Sequence, residues 1–176
     1  MKPFIGIKKI YYGDPFTANV TPTTLKSWIS SATEVTNSHD GTWSYTQDDP
    51  EVTDYINELT GSPYYRDKTS QGTKTIAFTI GAYAFEDKVA LQGGEVIKND
   101  DETIGWKAPS ELTIPYKGIV GITKTGNIVV FTNASIVGKV DTQEKNLGLG
   151  VTAVAMDSGV TGVADEYWFA AEAISD

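Results

Sequence analysis

His39 is the only histidine of the chain, in Asn37-Ser38-His39-Asp40-Gly41, and there is no cysteine. A nucleophilic triad needs a positioned base, and a zinc centre needs several nitrogen or sulfur ligands. One imidazole without a thiol supplies neither, so His39 reads as a solvent-facing turn residue. Asp48, Asp49, Glu51 and Asp54 are hard oxygen donors of the kind Ca²⁺ takes. Their spacing lacks the alternation and the glycine of a helix-loop-helix calcium loop. A solvated acidic loop, or a strand edge guarded by charge, fits them better. Asp100, Asp101 and Glu102 read the same way.

A glycosidase pair is defined by its separation in space, and with 23 acidic residues no spacing singles one out. Trp28, Trp43, Trp106 and Trp168 have faces that stack on sugars, yet large rings more commonly stabilise cores and interfaces. Gly148-Leu149-Gly150 sits in a β-type run without the third glycine or following helix of a nucleotide fingerprint. No phosphate loop, Gly-x-Ser-x-Gly elbow or His-Glu-x-x-His pair occurs. Asn19-Val20-Thr21 and Asn133-Ala134-Ser135 match the glycan acceptor pattern, which matters only in a secreted eukaryotic protein. The expectation is a protein that is not an enzyme, with no cofactor and no metal.

The elements that would position any site are strands. A chain of 176 residues suits one domain (1–176), and its six Phe, four Trp and nine Tyr supply core volume. The net charge is −9, and the 14 Lys and Arg are scattered with only Lys8-Lys9 adjacent. That distribution offers no basic face for nucleic-acid phosphates. The start lacks the apolar stretch of a signal peptide, and no run reaches the length of a membrane helix. These features lead us to expect a soluble protein, folded in a cytoplasm, with no membrane anchor.

Seventeen glycines and many short β-type runs imply a mainly β fold, a sandwich or barrel of about nine strands with one flanking helix. Phe4–Tyr12 reads as a first strand closed by Gly13-Asp14-Pro15. Residues 17–31 are Ser/Thr-rich and read as a loop or arm carrying Leu25, Trp28 and Ile29. Thr33–Asn37 and Gly41–Gln47 are strands, the second with Trp43 and Tyr45 on one face. Glu51–Leu59 fits a helix or an edge strand. Thr73–Ile80 is the cleanest strand, with Ile76, Phe78 and Ile80 on one face. Ala82–Leu91, stopped by Gly93-Gly94, is the helix. Asn99–Glu102 is a polar loop. Glu111–Tyr116 and Ile119–Lys124 lead into Thr125-Gly126-Asn127 and the run Ile128–Phe131, a hairpin of two apolar strands around a Gly-containing turn. Ala134–Asp141 and Leu147–Met156 form a second pair. Residues 157–176 make a C-terminal extension with a closing strand at Glu166–Ala173.

This order of parts resembles the bacteriophage major tail tube proteins. Glu34-Val35-Thr36 leading to Trp43–Glu51 is similar to their early region, Gly72–Gly81 to their central strand and Ala82–Gly94 to the helix after it. Gly118–Phe131 and Ala134–Met156, including Lys145–Ala153, resemble the remaining strands. The resemblance covers roughly Glu34–Met156 and consists of pattern, without signature motifs. It implies a subunit without an active site, six copies closing into a ring, and rings stacking into a hollow tube as in contractile tails and type VI secretion. The partners would be the chain itself, other tail proteins, and DNA only as passing cargo. The location would be the virion tail, and the host cytoplasm during assembly. Like charge in a channel removes the counterion-release gain that makes DNA adhere. Candidate assembly contacts are Trp28 and Ile29 on the 17–31 arm, and Tyr64 and Tyr65 in the Asp48–Tyr65 stretch. A second reading is a non-catalytic β-sandwich that binds a carbohydrate or protein through Tyr64, Tyr65 and Trp106.

Overall fold

The computed structural model describes residues 2–174. The fold is mainly β, with twelve strands and two α-helices among the described residues. Eight strands form one antiparallel sheet: β1 (Lys9–Gly13), β2 (Thr33–Glu34), β3 (Ser44–Gln47), β6 (Lys74–Ile80), β9 (Tyr116–Ile122), β10 (Ile128–Gln143), β11 (Asn146–Ala155) and β12 (Glu166–Phe169). Its order is β2-β1-β9-β10-β11-β6-β3, with β12 also on β10. The end strands β2 and β3 do not pair, so the sheet is not a closed barrel.

The 16 residues of β10 explain the architecture. Its first part, Ile128–Phe131, pairs with both β9 and β12. Its second part, Ala134–Gln143, pairs with β11. A register shift between Phe131 and Ala134 separates the two, and a bulge of this kind bends a strand. The two runs expected as separate strands are therefore one strand serving two half-sheets. The half-sheet β2-β1-β9-β10-β12 packs across a common core on the half-sheet β10-β11-β6-β3, a sandwich-like arrangement. Ile10, Ile119, Val129 and Phe131 from the first half meet Ile76, Phe78, Leu149 and Val151 from the second. Tyr45 of β3 lies 6.0 Å from Phe131, ring to ring.

The outer face of the first half-sheet has its own cover, and here the expected arm is corrected. Pro22–Ser31 is a helix, α1. Thr21 caps it, accepting from the Thr24 amide at 3.2 Å while the Thr24 hydroxyl accepts from the Thr21 amide at 2.8 Å. Pro22 occupies the first turn, where its missing N–H costs nothing. Leu25 is fully buried, and Trp28 and Ile29 pack against the same cluster as Tyr11, Val120 and Val130. The Trp28 indole rests on a glycine pair. Gly13 and Gly118 face each other across β1 and β9, and a Cβ on Gly118 would lie 2.8 Å from the ring. Phe16 stacks on the indole with ring centroids 4.6 Å apart.

The second helix, α2 (Phe85–Gln92), closes the open side of the sandwich with Leu91 fully buried. Its Asp87 carboxylate accepts from the Ala84 amide at 3.0 Å and from the Tyr12 hydroxyl. Gly93, at φ 85°, ends it, a backbone region that favours glycine. The strand at Thr73–Ile80 is observed as β6, with Ile76, Phe78 and Ile80 all buried.

Other expectations are corrected. The first strand begins only at Lys9, and the strand of the hairpin before Gly126, β9, begins at Tyr116, after exposed Leu112 and Ile114. The closing strand expected at Glu166–Ala173 is observed as β12, Glu166–Phe169, paired with β10. The extra strands lie in two hairpins outside the main sheet, β4 (Val52–Ile56) with β5 (Pro63–Lys68), and β7 (Glu95–Asn99) with β8 (Glu102–Lys107). The second hairpin leans on α2, where Lys88 lies 4.1 Å from the Trp106 ring centroid and Thr103 donates to Glu86 at 2.6 Å.

Candidate functional site

The β4–β5 hairpin stands apart from the rest of the fold. Every residue of both strands is exposed, and neither strand pairs with the main sheet. The sequence dictates the hairpin locally. Val52-Thr53-Asp54-Tyr55-Ile56 is β-branched and aromatic, which favours strand over the helical alternative. The turn is built by Asn57, whose Oδ1 accepts from the Leu59 amide at 2.9 Å and whose carbonyl accepts from Gly61 at 2.8 Å. Gly61 has φ 69°. At the base, the Glu51 carbonyl accepts from the Thr69 amide at 2.9 Å.

Register sorts the side chains. Tyr55 faces Tyr65 with ring centroids 5.6 Å apart. On the opposite face Arg66 grips Asp54 with two bonds, Nε–Oδ1 at 2.5 Å and Nη2–Oδ2 at 2.8 Å. The Arg66 guanidinium holds the Asp54 carboxyl below the usual range. Val52 and Tyr64 lie on the Arg66 face by strand alternation. Apolar surface is thus presented on both sides, with Tyr64 at 69% and Leu59, at the tip, at 95% exposure. An isolated two-stranded ribbon is at best marginally stable in water, and a contiguous exposed apolar patch marks an interaction surface.

Of the four residues singled out in sequence, Tyr64 and Tyr65 are on this hairpin. Trp28 and Ile29 are on α1, folded onto the chain's own core, and the Trp28 Nε1–H donates to the Asp14 carbonyl at 2.8 Å. The structure does not bring the two pairs together. Val52, Tyr55, Ile56 and Leu59 belong with the tyrosines but were hidden by the helix-or-strand ambiguity of Glu51–Leu59. Gly61-Ser62-Pro63 was the available turn signal.

The titratable groups are spread through structural bonds. His39 is half-buried, its amide bonded to the Thr79 carbonyl at 2.7 Å. Asp141 accepts from Thr79 Oγ1 at 2.5 Å and Gln143 Nε2 at 2.9 Å, bonds that hold its carboxyl below the usual range. Lys74 pairs with Asp165 at 2.8 Å and Glu166 at 3.1 Å. Burial alone would lower the Lys74 pKa, but the bonds to those carboxylates outweigh it and raise it. Among the described residues no three His, Asp or Glu gather as a metal cluster. No protein-family model matches the chain, and no curated protein matches it either.

Proposed function

We propose that this chain is a self-assembling structural subunit of the phage tail-tube kind, closing into hexameric rings that stack into a hollow tube through which DNA passes. The observation that carries the reading is the β4–β5 hairpin: an ordered projection with Val52, Tyr55, Ile56, Leu59, Tyr64 and Tyr65 all exposed. Such a projection gains stability by burial against another surface, and a neighbouring copy is always available in a homo-oligomer. The outer edge of β3, which pairs with no further strand among the described residues, gives a further place for strand-to-strand addition between copies. A small-ligand module reading needs one organised aromatic face, whereas this hairpin is apolar on both.

The test is the native mass of the protein over a concentration series, with negative-stain images of the same samples. Rings of hexamer mass, or tubes, are the expected result. A strict monomer at every concentration, including with a preformed tail tip added as nucleus, would overturn it.

A further inference from the structure

A cleft with two lysines outside any ion pair and a segment with three such carboxylates are separate features of the described surface. The cleft, of about 410 Å³, is lined by Lys8, Lys9, Lys124, His39, Asp40 and Trp43, among others. Lys9 is tied to Glu34 at 3.3 Å, but Lys8 and Lys124 form no ion pair among the described residues. Asp40 also lines the cleft, so Lys8 and Lys124 against Asp40 leave a net excess of one cation there in a chain of net charge −9. At the base of the β4–β5 hairpin, Asp48, Asp49 and Glu51 are all exposed and form no ion pair among the described residues.

Strand β6 measures the separation. The Asp48 amide donates to the Thr73 carbonyl at 2.9 Å, at the start of β6, and the His39 amide donates to the Thr79 carbonyl near its end. Six residues of extended chain put these ends about 20 Å apart. Among the described residues no ion pair links Asp48, Asp49 or Glu51 to Lys8 or Lys124 of the same chain.

We propose that the cleft is a docking site for a second copy of this chain, receiving the acidic segment Asp48-Asp49-Pro50-Glu51 head to tail. Opposite charges on two separate surfaces define a heterologous contact, which propagates along an axis when it does not close on itself. The occupant is chosen by charge complementarity: free lysines on one surface, free carboxylates on the other. Such pairing steers association and sets polarity, so successive copies point the same way. The inference rests on the stacking reading and names the surfaces that would make the stack.

Because the native chain has no cysteine, a disulfide reports the contact directly. The full-length double variant Lys124→Cys/Asp49→Cys is oxidised mildly and run without reductant, beside each single variant. A control carries Lys124→Cys with Glu111→Cys, at an exposed position outside the acidic segment in sequence. We expect a ladder of linked multimers from the double variant only. Adding Lys8→Glu, or oxidising in high salt, should reduce the ladder at least tenfold, while urea midpoints confirm that every variant is folded. Native mass of the reduced protein separates the two readings. Rings or tubes without a ladder overturn the docking contact and leave the subunit reading standing. A ladder without six-fold rings keeps the contact and removes the hexamer. A ladder equally strong in the control also overturns the contact.

Discussion

Tyr45 and Glu166 lie 121 residues apart in sequence, and the Tyr45 hydroxyl donates to the Glu166 carboxylate at 3.0 Å. This bond ties β3 of one half-sheet to β12 of the other, beside the Lys74–Glu166 ion pair. Trp168 completes the contact, its ring edge-on to Tyr45 at 5.2 Å.

Burial, followed by the bond to Glu166, raises the Tyr45 pKa well above the usual tyrosine value. Burial and the Asp87 bond raise that of Tyr12 likewise. A raised folded-state pKa means stability that is full below the unfolded value, about 10, and is lost as pH rises above it. Urea midpoints should therefore fall as pH climbs beyond about 10. Tyr45→Phe should make that alkaline decline shallower, and an unchanged slope would count against the assignment.

Asp141 has the opposite sign. Its folded pKa is depressed by Thr79 and Gln143, so its contribution is present above about pH 4 and lost as pH falls. Thr79→Val should lower the urea midpoint at neutral pH by removing a bond to a charged acceptor and flatten the acid limb of the stability profile. Denaturant titrations at several pH values between neutral and acid read both effects.

The helix α1 is anchored by a buried leucine and a capping threonine. Leu25→Ala should cost about 2–5 kcal/mol and Thr21→Ala about 1 kcal/mol. Had residues 17–31 been a free arm, both changes would be close to neutral. Thermal melts distinguish the two outcomes.

Gly118 should tolerate no side chain. Gly118→Ala pushes a methyl into the Trp28 ring, Phe16 and the Asp14 carbonyl, an overpacking expected to cost about 1–3 kcal/mol. A shift in tryptophan emission should accompany the loss.

The hairpin makes the contrasting prediction. Tyr64→Ser/Tyr65→Ser should leave the unfolding free energy of the monomer within about 0.5 kcal/mol of native, as expected of exposed positions. The same variant should lose the formation of rings or tubes in negative stain. Normal assembly would remove the hairpin from the proposed interface.

Taken alone, the sequence determined what depends on neighbours along the chain. The two-residue alternation of Ile76, Phe78 and Ile80 defined a strand, and Gly93 stopped a helix. The apolar runs around Gly126 defined a hairpin, and the abundance of such runs made the fold mainly β. Even the cap of α1 was written in Thr21-Pro22, although the Ser/Thr content around it read as loop. What depends on distant partners was settled only by tertiary structure. Ile128–Phe131 and Ala134–Asp141 became one strand because β9, β12 and β11 each bond to part of it. Trp28 and Ile29 turned inward because Gly13 and Gly118, over 100 residues apart, meet to make a seat for the indole. Tyr64 and Tyr65 stayed outside because, among the described residues, neither strand of their hairpin pairs with the main sheet.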